Sequence, residues 1–323
     1  MGLLFHLSAR WRRRLSVAAI VPLALSVLGG CATQSAQLQL QRPSDLPARV
    51  ELADTPFFPD DKRFCGPAAL ATSLTAAGLS VQPESLSGDV FLPGREGSLQ
   101  IEMLAGARRH GAVATIIPDT LEDLMREVAV GHPVVVLLNL GLSWIPSWHY
   151  AVVVGYDLDA GDMLLRSGAT KRQEISFRTF EHTWNRSQRW AFVTLPPGQL
   201  PATATEDEAT RALVAFERNA PASASALAYR KGLERWPGNV TLAMGLGNAL
   251  HASGDNVGAE AVFRRVAETR GLAAAYNNQA RVLLELGRRA EARRAAERGL
   301  AVAGPIRRTL LDTLEATGAT ASN

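Results

Sequence analysis

The stretch Phe64-Cys65-Gly66-Pro67-Ala68-Ala69-Leu70 decides how this chain is read. Good helix formers follow the cysteine, and Leu70, Ala71 and Leu74 fall at the three- and four-residue spacing of an apolar helix face. Proline suits the first helical turn, where its missing N–H costs no hydrogen bond. The sequence therefore predicts a helix with Cys65 at its N-terminus. That position matters because a thiol attacks a carbonyl as thiolate, and a free cysteine, with a pKa of about 8.5, is mostly protonated at neutral pH. The unsatisfied amides and aligned dipoles of a helix start favour the anion, and an adjacent imidazolium favours it more. Trp148-His149-Tyr150-Ala151-Val152-Val153-Val154-Gly155-Tyr156-Asp157 supplies the candidate ring: His149 opens a run apolar enough to be a central strand. A histidine pinned at a strand end facing a helix N-terminus has the spatial logic of a catalytic Cys–His pair.

Working outward, helices are expected around Leu99 to His110 and Leu121 to Val130. Strands are expected at Pro133 to Leu138, His149 to Tyr156, Met163 to Arg166 and Trp190 to Leu195. A helical half followed by a β half predicts an α+β domain over residues 50–198. Pro196-Pro197-Gly198 and the polar residues 199–205 mark a linker. From 206 to 315 the pattern is helical and repeats itself, with frames opening at Glu206, Val240 and Ala273, 34 and 33 residues apart. The eighth positions are Leu213, Gly247 and Ala280, and the twentieth are Ser225, Ala259 and Ala292, mostly small side chains where two helices must touch. This spacing is similar to that of tetratricopeptide repeats and predicts an all-α solenoid with a groove for a protein partner. A plain helical bundle is the competing reading.

The chain has 323 residues, 47% of them hydrophobic and 20% charged, enough for two domains with a core each. Its net charge of +3 falls to −1 without the first thirty residues, which hold Arg10, Arg12, Arg13 and Arg14 and no acid. A mature protein without a basic surplus is a poor nucleic-acid binder. Residues 1–30 read as a signal peptide: an arginine cluster, the apolar run Leu15 to Leu28, then Leu28-Gly29-Gly30-Cys31. The final four resemble the lipobox of bacterial lipoproteins, which implies lipidation of Cys31 and a membrane anchor. Ala32 after it implies, by the same resemblance, the outer membrane of the cell envelope. An uncleaved signal anchor is the alternative. Residues 31–49, rich in Gln, Ser and Pro, are expected to be a flexible linker. Only two cysteines exist, so acylation of Cys31 leaves Cys65 without an intramolecular partner.

The Cys65 and His149 blocks, 84 residues apart, together resemble the papain-like family of double-glycine, bacteriocin-processing cysteine peptidases, over about Leu52 to Leu195. The resemblance implies a papain-like fold and peptide cleavage through a thioester on Cys65, with His149 as base. The family carries a glutamine before the nucleophile to bind the oxyanion, where this chain has Pro59-Asp60, and a carboxylate there repels the developing charge. The family's triad acid falls in the segment that here reads Leu165-Arg166-Ser167-Gly168, which makes Ser167 the third candidate; Asp157 is another source of an acid. A catalytically impaired binding module and an envelope scaffold acting through its repeats therefore stand beside the peptidase. Trp148 and Tyr150 are candidate walls of a substrate cleft, bordered by the loop Gly141 to Ser147. His110, His132, His182 and His251 lack metal-ligand spacing, no cysteine cluster exists, and no phosphate-binding glycine loop is present, so neither metal nor cofactor is expected.

Overall fold

The computed structural model describes residues 33–60 and 64–318. The expected signal peptide, residues 1–30, and Cys31 lie outside the described residues.

The first element is a helix, α1 (Thr33–Leu40), which corrects the expectation of a flexible linker over residues 31–49. Leu38 is buried against the sheet core, and the Glu181 carboxylate accepts the Gln34 and Ser35 amides at 3.1 and 2.9 Å. Anchoring at a helix N-terminus by a buried carboxylate is a tertiary contact that Gln/Ser-rich composition does not announce.

The α+β domain follows: β1 (Arg49–Glu51), α2 (Cys65–Ala76), α3 (Pro83–Val90), the two-residue strands β2 (Phe91–Leu92) and β3 (Gly97–Ser98), α4 (Gln100–Arg109), β4 (Val113–Ile116), α5 (Leu121–Ala129), β5 (Val134–Asn139), β6 (Trp148–Asp157), β7 (Asp162–Ser167), β8 (Thr170–Ser176), α6 (Phe177–Asn185) and β9 (Ala191–Leu195). Seven strands form an antiparallel sheet in the order β4-β9-β5-β6-β7-β8, with β1 pairing the far end of β6. Alternation along β6 sends Ala151 and Val153 into a core with α5 and α6, and Tyr150, Val152 and Val154 into a second core with α2 and α4. The sheet is thus covered on both faces, with α2 across one of them.

Beyond residue 205 the described residues form seven α-helices in a solenoid-like stack: α7 (Glu206–Glu217), α8 (Ala222–Arg235), α9 (Val240–Ala252), α10 (Asn256–Arg270), α11 (Ala273–Glu285), α12 (Arg289–Ala301) and α13 (Arg307–Gly318). The three frames predicted from sequence open at the first residues of α7, α9 and α11. Small residues sit where helices meet: a Cβ on Gly247 would overlap the Phe263 ring, and Ala259, Ala280 and Ala292 are fully buried. The two parts share a core, because Val113 on edge strand β4 packs with Leu213, Phe216 and Tyr229. The expected linker 199–205 is fastened too: buried Glu127 accepts both the amide and the hydroxyl of Thr203 at 2.6 Å, and Arg235 donates to the Pro201 and Ala202 carbonyls.

Candidate active site

Cys65 is the first residue of α2 and is buried. Gly66 lets strand β3 close on the helix start, because a Cβ there would overlap the Ser98 side chain. The sulfur receives the Tyr150 backbone N–H at 3.5 Å, so α2 lies with its N-terminus against the strand residue that follows His149. His149 is the second residue of β6, which opens one residue earlier than expected; it lies opposite Leu138 of β5, and its Nε2 meets Ser167 Oγ at the end of β7 at 2.9 Å. The Ser167 hydroxyl is thus placed within hydrogen-bond distance of the ring. Asp157 does not serve: it lies eight residues along β6, about 26 Å from His149 at strand rise, where it accepts the Asp159 and Ala160 amides.

Asp60 lines a small cavity with Ala69, Thr72, Arg166 and Ser167, and its amide donates to the Gly168 carbonyl at 3.2 Å. It is thus set beside the third position and close enough to act on the sulfur. Buried Arg166, missed in the sequence, braces this corner by donating to the Ala53, Thr55 and Lys171 carbonyls. That ties the Asp60 segment to the β7–β8 turn and so holds Ser167 in place.

The electrostatics depart from the expected thiolate. Burial pushes the Cys65 thiol above its ordinary value; the Tyr150 amide opposes this, and the Asp60 carboxylate adds to it. Burial pulls the His149 imidazole below its ordinary value. Both shifts favour the uncharged pair at neutral pH. The helix start is present, but the sulfur is too deeply desolvated for its amides to prevail.

In front of Cys65 opens a cleft of about 730 Å³. Tyr150 forms its floor, donating through its hydroxyl to the Ser98 carbonyl, and half-exposed Trp148 forms part of its wall. Pro146 and Ser147, from the loop expected to border the site, line it too. Trp144 does not, since it stands exposed at that loop's tip. The opposite walls were not legible: residues 95–100, from the β2–β3 turn to the start of α4, and residues 186–188 after α6. Each wall carries a left-handed non-glycine backbone, Glu96 on one side and Gln188 with its neighbour Arg189 on the other. Such strain persists only where the surroundings fix it; here the Arg189 guanidinium reaches Asn185 and Asp119, and its amide donates to the Trp184 carbonyl. Among the described residues no group of three or more His, Cys, Asp or Glu could hold a metal ion.

With this geometry in view, residues 43–192 match the model of the Peptidase_C39 like family. The N-terminal domain matches a C39-like peptidase domain. Solved structures similar to it include a Bacillus anthracis protein described as a C39-like peptidase, 19% identical, covering 46% of this chain and 98% of its own, with a TM-score of 0.40. A double glycine motif protease from an AMS/PCAT transporter in complex with the leader peptide is 21% identical, covers 45% and 93%, and has a TM-score of 0.37. The peptidase domain of Streptococcus ComA, a bifunctional ABC transporter involved in quorum sensing, is 19% identical over 44% and 98%, with a TM-score of 0.36. Comparison with curated proteins gives no match. The C39-like domain thus has a cysteine peptidase fold, and the helices after residue 205 fall outside the matched region.

Proposed function

We propose that this protein is an envelope-anchored cysteine peptidase that attacks from an uncharged Cys65–His149 pair. The observation that carries the reading is that β6 links the two elements: its Tyr150 N–H meets the Cys65 sulfur, its His149 ring meets Ser167 Oγ, and Cys65 lines the cleft of a domain that matches the C39-like family. With Nε2–H of His149 donating to Ser167 Oγ, the imidazole keeps Nδ1 free as base. As Cys65 Sγ bonds to the scissile carbonyl carbon, its proton passes to Nδ1, and the carbonyl π electrons move onto oxygen. The Cys65 backbone N–H is the donor available to that oxyanion. Collapse breaks the C–N bond, the amine leaves with the proton held by His149, and a thioester remains on Cys65. Water then attacks the thioester, losing its proton to His149, and releases the acid and the thiol.

Ser167 steers the ring without charge, and Asp60 works against the sulfur's negative charge, so catalysis is slower than a charged triad allows. The same two residues favour the second reading, a peptide-binding module with an idle thiol. The lipobox-like Leu28-Gly29-Gly30-Cys31 supports anchoring through lipid on Cys31, at the outer membrane if Ala32 is decisive. The tetratricopeptide-like spacing supports capture of a protein partner or substrate by α7 to α13. The test is incubation of the purified protein with a peptide mixture, read by mass spectrometry. Cleavage lost in Cys65→Ala supports the peptidase; the same products from wild type and Cys65→Ala overturn it, and no products while peptides still bind supports the module.

A further inference from the structure

We propose that the β5–β6 hairpin, residues 140–148, is a membrane-docking tip that holds the cleft against the lipid surface. Leu140-Gly141-Leu142-Ser143-Trp144-Ile145-Pro146-Ser147-Trp148 contains no charged residue. It carries five large apolar side chains at least half out of contact with the protein or nearly so, with Trp144 76% and Ile145 67% exposed. An exposed apolar cluster of this size marks an interaction surface.

The hairpin is built rather than loose. Leu142 and Ile145 exchange backbone hydrogen bonds at 3.1 and 3.2 Å, and the Leu140 amide donates to the Ser147 carbonyl at 2.8 Å. Buried Asn139 accepts the Gly141 and Ser147 amides at 3.0 and 2.9 Å, and the Arg186 guanidinium donates to the Asn139 and Gly141 carbonyls. A Cβ on Gly141 would overlap the Ile145 carbonyl. The tip side chains are thus presented by a fixed backbone, which lowers the ordering cost of docking.

Where the chain enters the fold selects lipid as the occupant. The first turn of α1 lies at the same end of the sheet as the hairpin: Gln34 Nε2 and Arg189 Nη1 both donate to the Asp119 carbonyl at 3.3 Å, and Arg186, three residues before Arg189, fastens the hairpin. Gln34 Oε1 also accepts the Leu121 amide at the start of α5, which runs antiparallel to β5 and so begins where β5 ends. Only one residue separates Cys31 from Thr33, a reach of about 7 Å for two peptide units. An acyl chain on Cys31 therefore enters the bilayer beside this apolar tip, and two tryptophans there suit the interface between headgroup and hydrocarbon. This part rests on the lipid anchor proposed above. Pro146, Ser147 and Trp148 belong to both hairpin and cleft, so the site faces peptide segments held at the membrane surface, and those are its substrate class.

The experiment uses the whole chain, purified from membranes and reconstituted in phosphatidylethanolamine–phosphatidylglycerol (3:1) vesicles with brominated acyl chains. Tryptophan quenching is read beside the mass of the N-terminal peptide. The expected result is strong quenching in the wild type, most of it lost in Trp144→Leu, which removes the fluorophore from an exposed position. An acylated Cys31 with Trp144 unquenched overturns the docking proposal and keeps the anchor. An unacylated Cys31 overturns the anchor itself, and with it the proposal when quenching is absent. Self-association without lipid quenching that Trp144→Ser/Ile145→Ser abolishes gives the tip to a second copy. Loss of peptide hydrolysis in that variant without lipid quenching gives it to substrate; each of these two results also overturns the proposal.

Discussion

Replacing Ser167 by aspartate places a carboxylate at the position that now meets His149 Nε2 at 2.9 Å. At that separation and an effective dielectric constant of 20, the bare attraction for an imidazolium is about 6 kcal/mol. The new carboxylate must itself be desolvated, which leaves a net of about 1.5 to 4 kcal/mol in favour of the imidazolium, as for other closely paired ions. Asp60 trims this further. It lines the same cavity as Ser167, so two carboxylates there would tend to share one proton. The double variant Asp60→Gln/Ser167→Asp removes that competition and also removes a charge that raises the Cys65 thiol. Alkylation of Cys65 by iodoacetamide at pH 7, followed by mass spectrometry, should therefore be about tenfold faster in Ser167→Asp and up to about a hundredfold faster in the double variant. The His149 ring titration, followed by NMR, should move to higher pH in the same order. Folded variants with unchanged alkylation and unchanged His149 titration would refute the claim that Ser167 and Asp60 set the charge state of the pair.

Glu127→Gln should cost about 1 to 3 kcal/mol in denaturant unfolding, because the amide cannot accept all the donors that now converge on a buried carboxylate, Thr203 N–H, Thr203 O–H and His132. Burial opposes its ionisation, but His132 and Thr203 together hold the Glu127 carboxyl below its ordinary pKa. Its contribution is thus complete above the ordinary carboxylate value and fades as pH falls through the lowered one; the variant should lose this acid-side dependence, and an identical stability curve against pH would count against the network. Gly247→Ala should lower the melting temperature, since overlap with Phe263 costs about 1 to 3 kcal/mol and exceeds the gain of about 1 kcal/mol from better helix propensity. A raised melting temperature would show that the repeats have room to spare at that contact.

What the sequence made legible was local and periodic. The start of α2 at Cys65, the apolar run of β6 and the three repeat frames each rest on spacing within one or two elements, and each appears in the structure at or within a residue of its predicted place. Elements held by tertiary contact escaped notice. Helix α1 depends on the distant Glu181 carboxylate, and β8, Thr-Lys-Arg-Gln-Glu-Ile-Ser, is an edge strand whose polar side chains carry no apolar alternation. The site divided in the same way. The placement of Cys65 at a helix start and of His149 near a strand start was readable from their elements, and Ser167 was a candidate from the family resemblance. The walls at Glu96 and Gln188, and the brace at Arg166, follow from strained backbone and buried guanidinium contacts without a sequence pattern. The resting charge state could not be read from helix position alone, because it depends on how far burial and Asp60 outweigh the helix amides.

The central claim is that peptide hydrolysis starts from a neutral thiol and a neutral imidazole. The most direct measurement is the pH dependence of kcat/KM for a peptide whose cleavage is lost in Cys65→Ala. With His149 lowered and Cys65 raised, the active singly protonated pair spans a wide window. The account predicts an acid limb below the ordinary histidine value of about 6.5 and an alkaline limb above the ordinary cysteine value of about 8.5. An alkaline limb below the ordinary cysteine value, or hydrolysis that does not require Cys65 at any pH, would contradict it.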